Sequence, residues 1–238
     1  FFSQSMGYEH DVIKRPSNRE LSYAEKVFER IVSEQGYDVV FSKNAADLST
    51  ESNFEPFNAI VFYTTKSPPI NRTAMLNWLR AGGAFIGIHS ACDSFYDWPD
   101  YGRILGGYFS GHGGHEQSVV MKIEDSQHPA VAMLGSSWQI ADEIYQLKDF
   151  SRNAVSVVLS IDAANMSDRS LHHHNMQRGR DYPVAWTNTY GNGRVFYTGL
   201  GHLESVWDDT LFQQHLLGGI KWAMDDIARS DSIPGGET

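Results

Sequence analysis

The apolar positions of this chain fall into two kinds of run, and their alternation predicts a sheet with helices packed on it. Between Arg19 and Gln35, Leu21, Ala24, Val27, Phe28, Ile31 and Val32 recur at intervals of three and four, which places them on one side of a helix. Gly36 follows as a C-terminal cap. Asn71 to Arg80 repeats the pattern with Met75, Leu76 and Leu79, and Ala81-Gly82-Gly83 ends it. The other runs are short and β-branched or continuously apolar: Tyr37 to Phe41, Phe57 to Thr65, and Ala84 to Ile88. Continuous apolar runs mark strands covered on both faces, as in parallel sheets. Phe1-Phe2 reads as the end of a first strand. The order strand, helix, strand, strand, helix, strand predicts an α/β fold of the flavodoxin-like, doubly wound type. Its sheet is expected to be mostly parallel, with helices on both faces.

The second half is less regular. Ala91 to Glu116 is a long, aromatic, Gly-rich loop with a short helix over Asp100 to Leu105, and ordered loops of this length generally carry function. Gln117 to Ile123, Trp138 to Leu147 and Ala154 to Ile161 read as strands, and His128-Pro129-Ala130 as a turn. Residues 163–181 read as a polar surface excursion containing His172-His173-His174. Tyr182 to Thr189 and Arg194 to Thr198, joined through Gly191-Asn192-Gly193, form an added β-hairpin. Asp208 or Asp209 caps a last helix that runs to Ala228. With no repeat or linker, the expectation is one domain over residues 1–229 and a flexible polar tail over 230–238.

Composition narrows the function. A net charge of −10 without a basic stripe argues against nucleic acid as a partner. The single cysteine, Cys92, rules out an intrachain disulfide and a Cys-rich zinc site. No apolar run has the length of a membrane span, so no membrane partner is expected. No signal peptide is visible, and the opening on Phe1-Phe2 leads to the expectation that a first segment lies upstream. Cytoplasm and periplasm both stay open as compartments, as does homo-oligomerisation. No Gly-x-Gly-x-x-Gly follows a strand, and there is no Walker loop or Gly-x-Ser-x-Gly elbow. Neither a nucleotide cofactor nor a serine-hydrolase site is therefore expected.

Doubly wound sheets bind ligands beyond the carboxyl ends of their strands. His10 lies in the loop after the first strand, His89 directly after Ala84–Ile88, and His202 after Arg194–Thr198. His112 lies in the loop that the His89 strand feeds. Four imidazoles on one rim can serve as acid/base groups near neutral pH, or as ligands of a divalent metal such as zinc. His112 and His115 sit in a Gly-rich segment that reads equally well as a metal or sugar contact and as a plain loop. The His172–His174 run lacks the spacing of a defined zinc site. Asp93, with Asp97 and Asp100, is near His89 in sequence and could orient an imidazole or bind a sugar hydroxyl, helix capping being the plainer role of Asp97 and Asp100; Glu204, two residues past His202, either pairs with a rim group or faces water. Tyr96, Trp98 and Trp207 could offer ring faces to a sugar. Asp142-Glu143 falls on a predicted strand, so at least one of the two should point out of the core.

Several segments together resemble the trehalose-utilisation, or ThuA-like, family. They are Gly7-Tyr8-Glu9-His10-Asp11, Gly82 to Ala91, Phe95-Tyr96-Asp97-Trp98, Gly106 to His112, Asp142-Glu143-Ile144-Tyr145 and Gly191 to His202. The resemblance implies the class I glutamine amidotransferase-like superfamily. In that superfamily the elbow after this strand carries a nucleophilic cysteine, and a late segment supplies its His and Glu partners. Here His89 stands at the cysteine's place, with His202 and Glu204 near the partner pair. A neutral imidazole is a poor substitute for a thiolate. The resemblance thus implies the scaffold and the place of the site but not glutaminase chemistry, and Cys92 reads as a small buried side chain.

Family members are linked with trehalose and related disaccharides, acting on 3-keto sugars made by partner dehydrogenases. The implied function is a carbohydrate-metabolism enzyme, a hydrolase, lyase or isomerase, acting on a glycoside or keto-sugar. Its chemistry would be His acid/base or metal-assisted, with His89 and His202 at its centre. The alternative is a non-catalytic carbohydrate-binding or sensing module on a degenerate amidotransferase scaffold.

Overall fold

The computed structural model describes residues 1–115 and 117–230. The first helix starts later than its periodicity suggests. Ser22 Oγ accepts from Glu25 N (3.3 Å) while the Glu25 carboxylate accepts from Ser22 N (2.9 Å). This reciprocal cap satisfies two otherwise orphaned donors and fixes the start of α1 (Tyr23–Ser33), in place of Arg19. The chain then forms β1 (Ala59–Phe62), α2 (Arg72–Arg80), capped by Asn71, and β2 (Ala84–Ile88).

β1 and β2 pair in parallel. Residues 1–3 lie beside β1 and residues 40–42 beside them, each joined by isolated parallel bridges. Hydrogen bonds run from Phe2 N to Val61 O (2.8 Å) and from Ser3 N to Ser42 O (2.9 Å). The expected strands at Phe1-Phe2 and Tyr37–Phe41 are therefore single-bridge segments, not full ladders. Only a few residues of each reach their neighbour, and Val40 at the outer edge is 60% exposed.

The long loop after β2 contains α3 (Pro99–Leu105), where Pro99 opens the first turn, and ends in β3 (Tyr108–His112). Next come β4 (Ser118–Ile123) and β5 (Ser137–Ala141). The single strand expected over Trp138 to Leu147 is in fact two. The chain leaves the main sheet at Asp142-Glu143 and continues as β6 (Tyr145–Lys148), which pairs with β3 in a separate two-stranded sheet. β7 (Ser156–Ile161) returns to the main sheet. The excursion over 163–181 holds a short helix, α4 (Asp168–His173), and His174 within it is buried rather than at the surface. The predicted hairpin is present as β8 (Pro183–Tyr190) and β9 (Gly193–Thr198), with Gly191 at φ 63° in its turn. The terminal helix comes in two pieces, α5 (Glu204–Asp208) and α6 (Thr210–Ser230). Asp209 caps the second, accepting from Leu211 N (2.7 Å) and Phe212 N (3.2 Å). Most of the expected tail lies outside the described residues.

The main sheet has the order β1-β2-β9-β8-β7-β4-β5. With residues 40–42 and 1–3 ahead of it, the parallel part reads 2-1-3-4-5 in chain order, the flavodoxin-like arrangement. Antiparallel pairings carry β8, β7, β4 and β5 outward from β9, a wider extension than one added hairpin. Alternate residues face opposite ways along each strand. Val61, Ile86 and Phe196 meet Phe28, Ile31, Phe212 and Leu216 of α1 and α6. Phe62, Phe85 and Val195 meet Met75, Leu79, Ile104 and Leu105 of α2 and α3. These two cores explain the continuous apolar runs. Among the described residues no helix is long and apolar enough to cross a membrane.

Candidate functional site

β2 and β9 run side by side in parallel, so their carboxyl ends open on the same edge. His89 follows β2 with φ at 44°, a conformation non-glycine residues rarely hold unless their surroundings enforce it. Its Nδ1 lies 2.7 Å from Gly199 O. A carbonyl only accepts, so Nδ1 donates to it and Nε2 is the ring nitrogen turned to the cluster.

The loop after β9 is tied down just as firmly. Tyr63 Oη (3.0 Å) and Trp207 Nε1 (2.8 Å) both donate to Gly201 O. Gly201 N (2.6 Å) and His202 N (3.2 Å) donate to the Asp142 carboxylate, which also accepts from Glu143 N (2.9 Å). Asp142 is fully buried. One carboxylate thus fixes both Glu143 and His202, and the break between β5 and β6 exists where it does so.

Four side chains converge here: His10, His89, Glu143 and His202 each offer a ligand atom, and these atoms lie within 4.8 Å of one another. His89 Nε2 is 3.3 Å from His202 Nδ1 and 3.5 Å from Glu143 Oε2, and His202 Nδ1 is 3.3 Å from the same oxygen. His10 Nε2 is 3.2 Å from Tyr145 Oη, while its buried Nδ1 has no hydrogen-bond partner. The Tyr145 ring stacks on His89 at 4.1 Å. His112 stands at the open side, with Nδ1 3.0 Å from Glu143 Oε1.

Burial drives the His10 imidazole down to about 2, helped by the charges of His89 and His202. Burial and His89 also drive His202 down to about 4, against an opposing pull from Glu143. For Glu143, burial acts upward, but the hydrogen bond and charge of His89, with His202 and His112, hold it below its ordinary value. At neutral pH His10 and His202 are therefore neutral, and Glu143 is ionised. Burial raises Asp142 to about 6, partly offset by His89 and by the amides of Gly201, Glu143 and His202.

Three of the four expected imidazoles meet directly, and His112 reaches them through Glu143. The other expectations need correction. Asp93 accepts from Tyr96 Oη (2.6 Å) and makes no bond to an imidazole among the described residues. Glu204 is exposed on the first turn of α5, because the short helix turns it away, and the carboxylate that meets His202 is Glu143. Trp98 is buried in the core under α2 and α3, and Trp207 is fully buried against Phe212, so neither presents a ring face. Tyr96 is partly exposed, but Lys148 Nζ covers its ring at 4.5 Å. Asp142 and Glu143 lie between β5 and β6 rather than on one strand; both are buried, and Glu143 turns to the rim cluster as one of the pair was expected to. Sequence reasoning missed Glu143, Asp142 and Tyr145 as parts of the site. The visible signal was an acidic pair interrupting an alternating strand pattern.

The fold and this rim define a flavodoxin-like α/β protein with a histidine–glutamate cluster at the strand ends. The chain belongs to the ThuA family, described as trehalose utilisation, whose model matches residues 1–223. Membership gives the protein a carbohydrate-related role. Solved structures carry the same fold. A ThuA-like protein of Parabacteroides merdae superposes with a TM-score of 0.72 at 21% identity, over 94% of this chain and 89% of its own. A ThuA-like protein of Bacteroides uniformis gives 0.69 at 22% identity, over 84% and 82%. A cytoplasmic protein of Salmonella typhimurium gives 0.60 at 12% identity, over 88% and 93%. No curated protein matches the sequence.

Proposed function

We propose that His10, His89, Glu143 and His202 form a divalent metal centre, with zinc as the best-suited ion, in an enzyme of carbohydrate metabolism. Its substrate would be a keto-sugar or glycoside related to trehalose. The observation that carries this reading is the spacing of the donor atoms. Ligands held tetrahedrally at zinc distances lie about 3.3–3.4 Å apart, and the three separations among His89, His202 and Glu143 are 3.3, 3.3 and 3.5 Å. The buried, unpartnered His10 Nδ1 also fits a site built to receive a cation. Imidazole nitrogens with one ionised carboxylate are a set that suits zinc.

A bound divalent ion would polarise a sugar carbonyl or hydroxyl oxygen. The protein groups divide into holders and movers. His89 is oriented by Gly199 O, and His202 and Glu143 by Asp142, so these side chains hold. His112 is 45% exposed, and its Nδ1 faces Gly113 O (2.7 Å) as well as Glu143. That leaves its Nε2 to take a proton from a carbon beside a sugar carbonyl and return it.

Calorimetric titration of chelator-treated protein with zinc, beside turnover of 3-keto-trehalose, tests this. One ion per chain is expected, with binding lost in His89→Ala and turnover lost in Glu143→Gln. Wild-type protein that takes up no divalent ion, or a His89→Ala variant that binds as wild type does, would overturn the metal assignment.

A further inference from the structure

Tyr8 is the most exposed aromatic residue of the chain, with 61% of its surface open. It sits at the cluster: its ring meets His10 edge-on at 5.0 Å, two residues along the same loop. It is also held still. Thr65 Oγ1 donates to Tyr8 O (2.8 Å), Gly7 N donates to Thr65 Oγ1 (3.3 Å), and Met6 N donates to Thr65 O (3.1 Å). The Tyr8 hydroxyl makes no hydrogen bond among the described residues. A lone exposed ring is ordinary by itself, but this one is held on a fixed backbone edge-on to a residue of the cluster, so its open surface is within reach of a ligand bound there.

Lys14 lies within electrostatic reach of Tyr8. Asp11 and Lys14 form an ion pair at 2.5 Å with side chains 79% and 52% exposed. So exposed a pair contributes little to stability, and its charges are free to exchange partners with hydroxyl groups. A ring with an exposed ion pair within reach suits a pyranose, whose C–H face is apolar and whose rim carries hydroxyls.

Resting on the carbohydrate reading above, we propose that Tyr8 is the stacking platform for a sugar ring presented to the cluster, with Asp11 and Lys14 contacting its hydroxyls. The platform touches the cluster through His10, and it belongs to binding, not to metal retention.

The test is trehalose binding to the zinc-loaded protein, measured by calorimetry, with zinc affinity measured in parallel. Tyr8→Ala is expected to bind trehalose about tenfold more weakly. Tyr8→Phe should keep the affinity, and both variants should bind zinc like wild type. Undiminished trehalose binding by Tyr8→Ala overturns the platform and leaves the carbohydrate reading standing. A wild-type protein that binds zinc but neither trehalose nor its 3-keto derivative overturns both. Loss of zinc binding in Tyr8→Ala would make the residue part of the cluster's framework and also end the proposal.

Discussion

Asp142 contributes no donor atom to the four-residue cluster, yet its two oxygens hold the amides of Glu143, Gly201 and His202. Asparagine would fill the same space, but its NH₂ would have to face one of those N–H groups. Asp142→Asn is therefore expected to weaken zinc binding by about 10–100-fold with little change in circular dichroism. Glu204→Gln, exposed on the first turn of α5, should change nothing in the same titration. The histidines were legible in the sequence because each directly follows a strand or lies in the loop after one. Glu143 was not, because an acidic pair inside an alternating run does not reveal that the strand breaks there. Trp98 and Trp207 read as sugar platforms because side-chain type carries no information about burial. Only the packing shows that the Trp207 indole N–H is spent on Gly201 O.

Helix α1 illustrates what periodicity omits. The apolar spacing locates its buried face, but its start is set by Ser22 and Glu25, whose carboxylate also takes Arg15 at 2.8 and 2.9 Å and Ser3 Oγ at 3.1 Å. Burial acts to raise the Glu25 carboxyl, but Arg15 and the Ser22 amide hold it below its ordinary value of 4.5. A carboxyl depressed in the folded state stabilises above its unfolded value, and that contribution is lost as the pH falls through the folded one. Glu25→Gln should therefore cost about 3 kcal/mol at neutral pH. Its gap in melting temperature to wild type should close as the pH is taken below 4.5. A gap that does not vary with pH would show that the ion pair adds nothing to folding.

The order of elements in the flavodoxin-like half was legible, because strands covered on both faces are apolar along their length, though its two outer segments pair through isolated bridges only. The antiparallel half was not, since strand pairing is set by contacts distant in sequence, and β4 lies between β5 and β7 for reasons no local pattern records. A centre that only the native state contains ties ligand affinity to global stability. Zinc at a hundredfold excess over its dissociation constant should add about 2.7 kcal/mol. For a domain of this size that is a rise of roughly 5–10 °C in melting temperature, and it should be absent in His89→Ala. The cluster draws on residues 10, 89, 143 and 202, which are spread from one end of the chain nearly to the other. A fragment that stops short of residue 202 lacks a ligand, so an occupied centre would report that the chain has been made and folded at least that far, and synthesis halted earlier would leave the ion uncaptured.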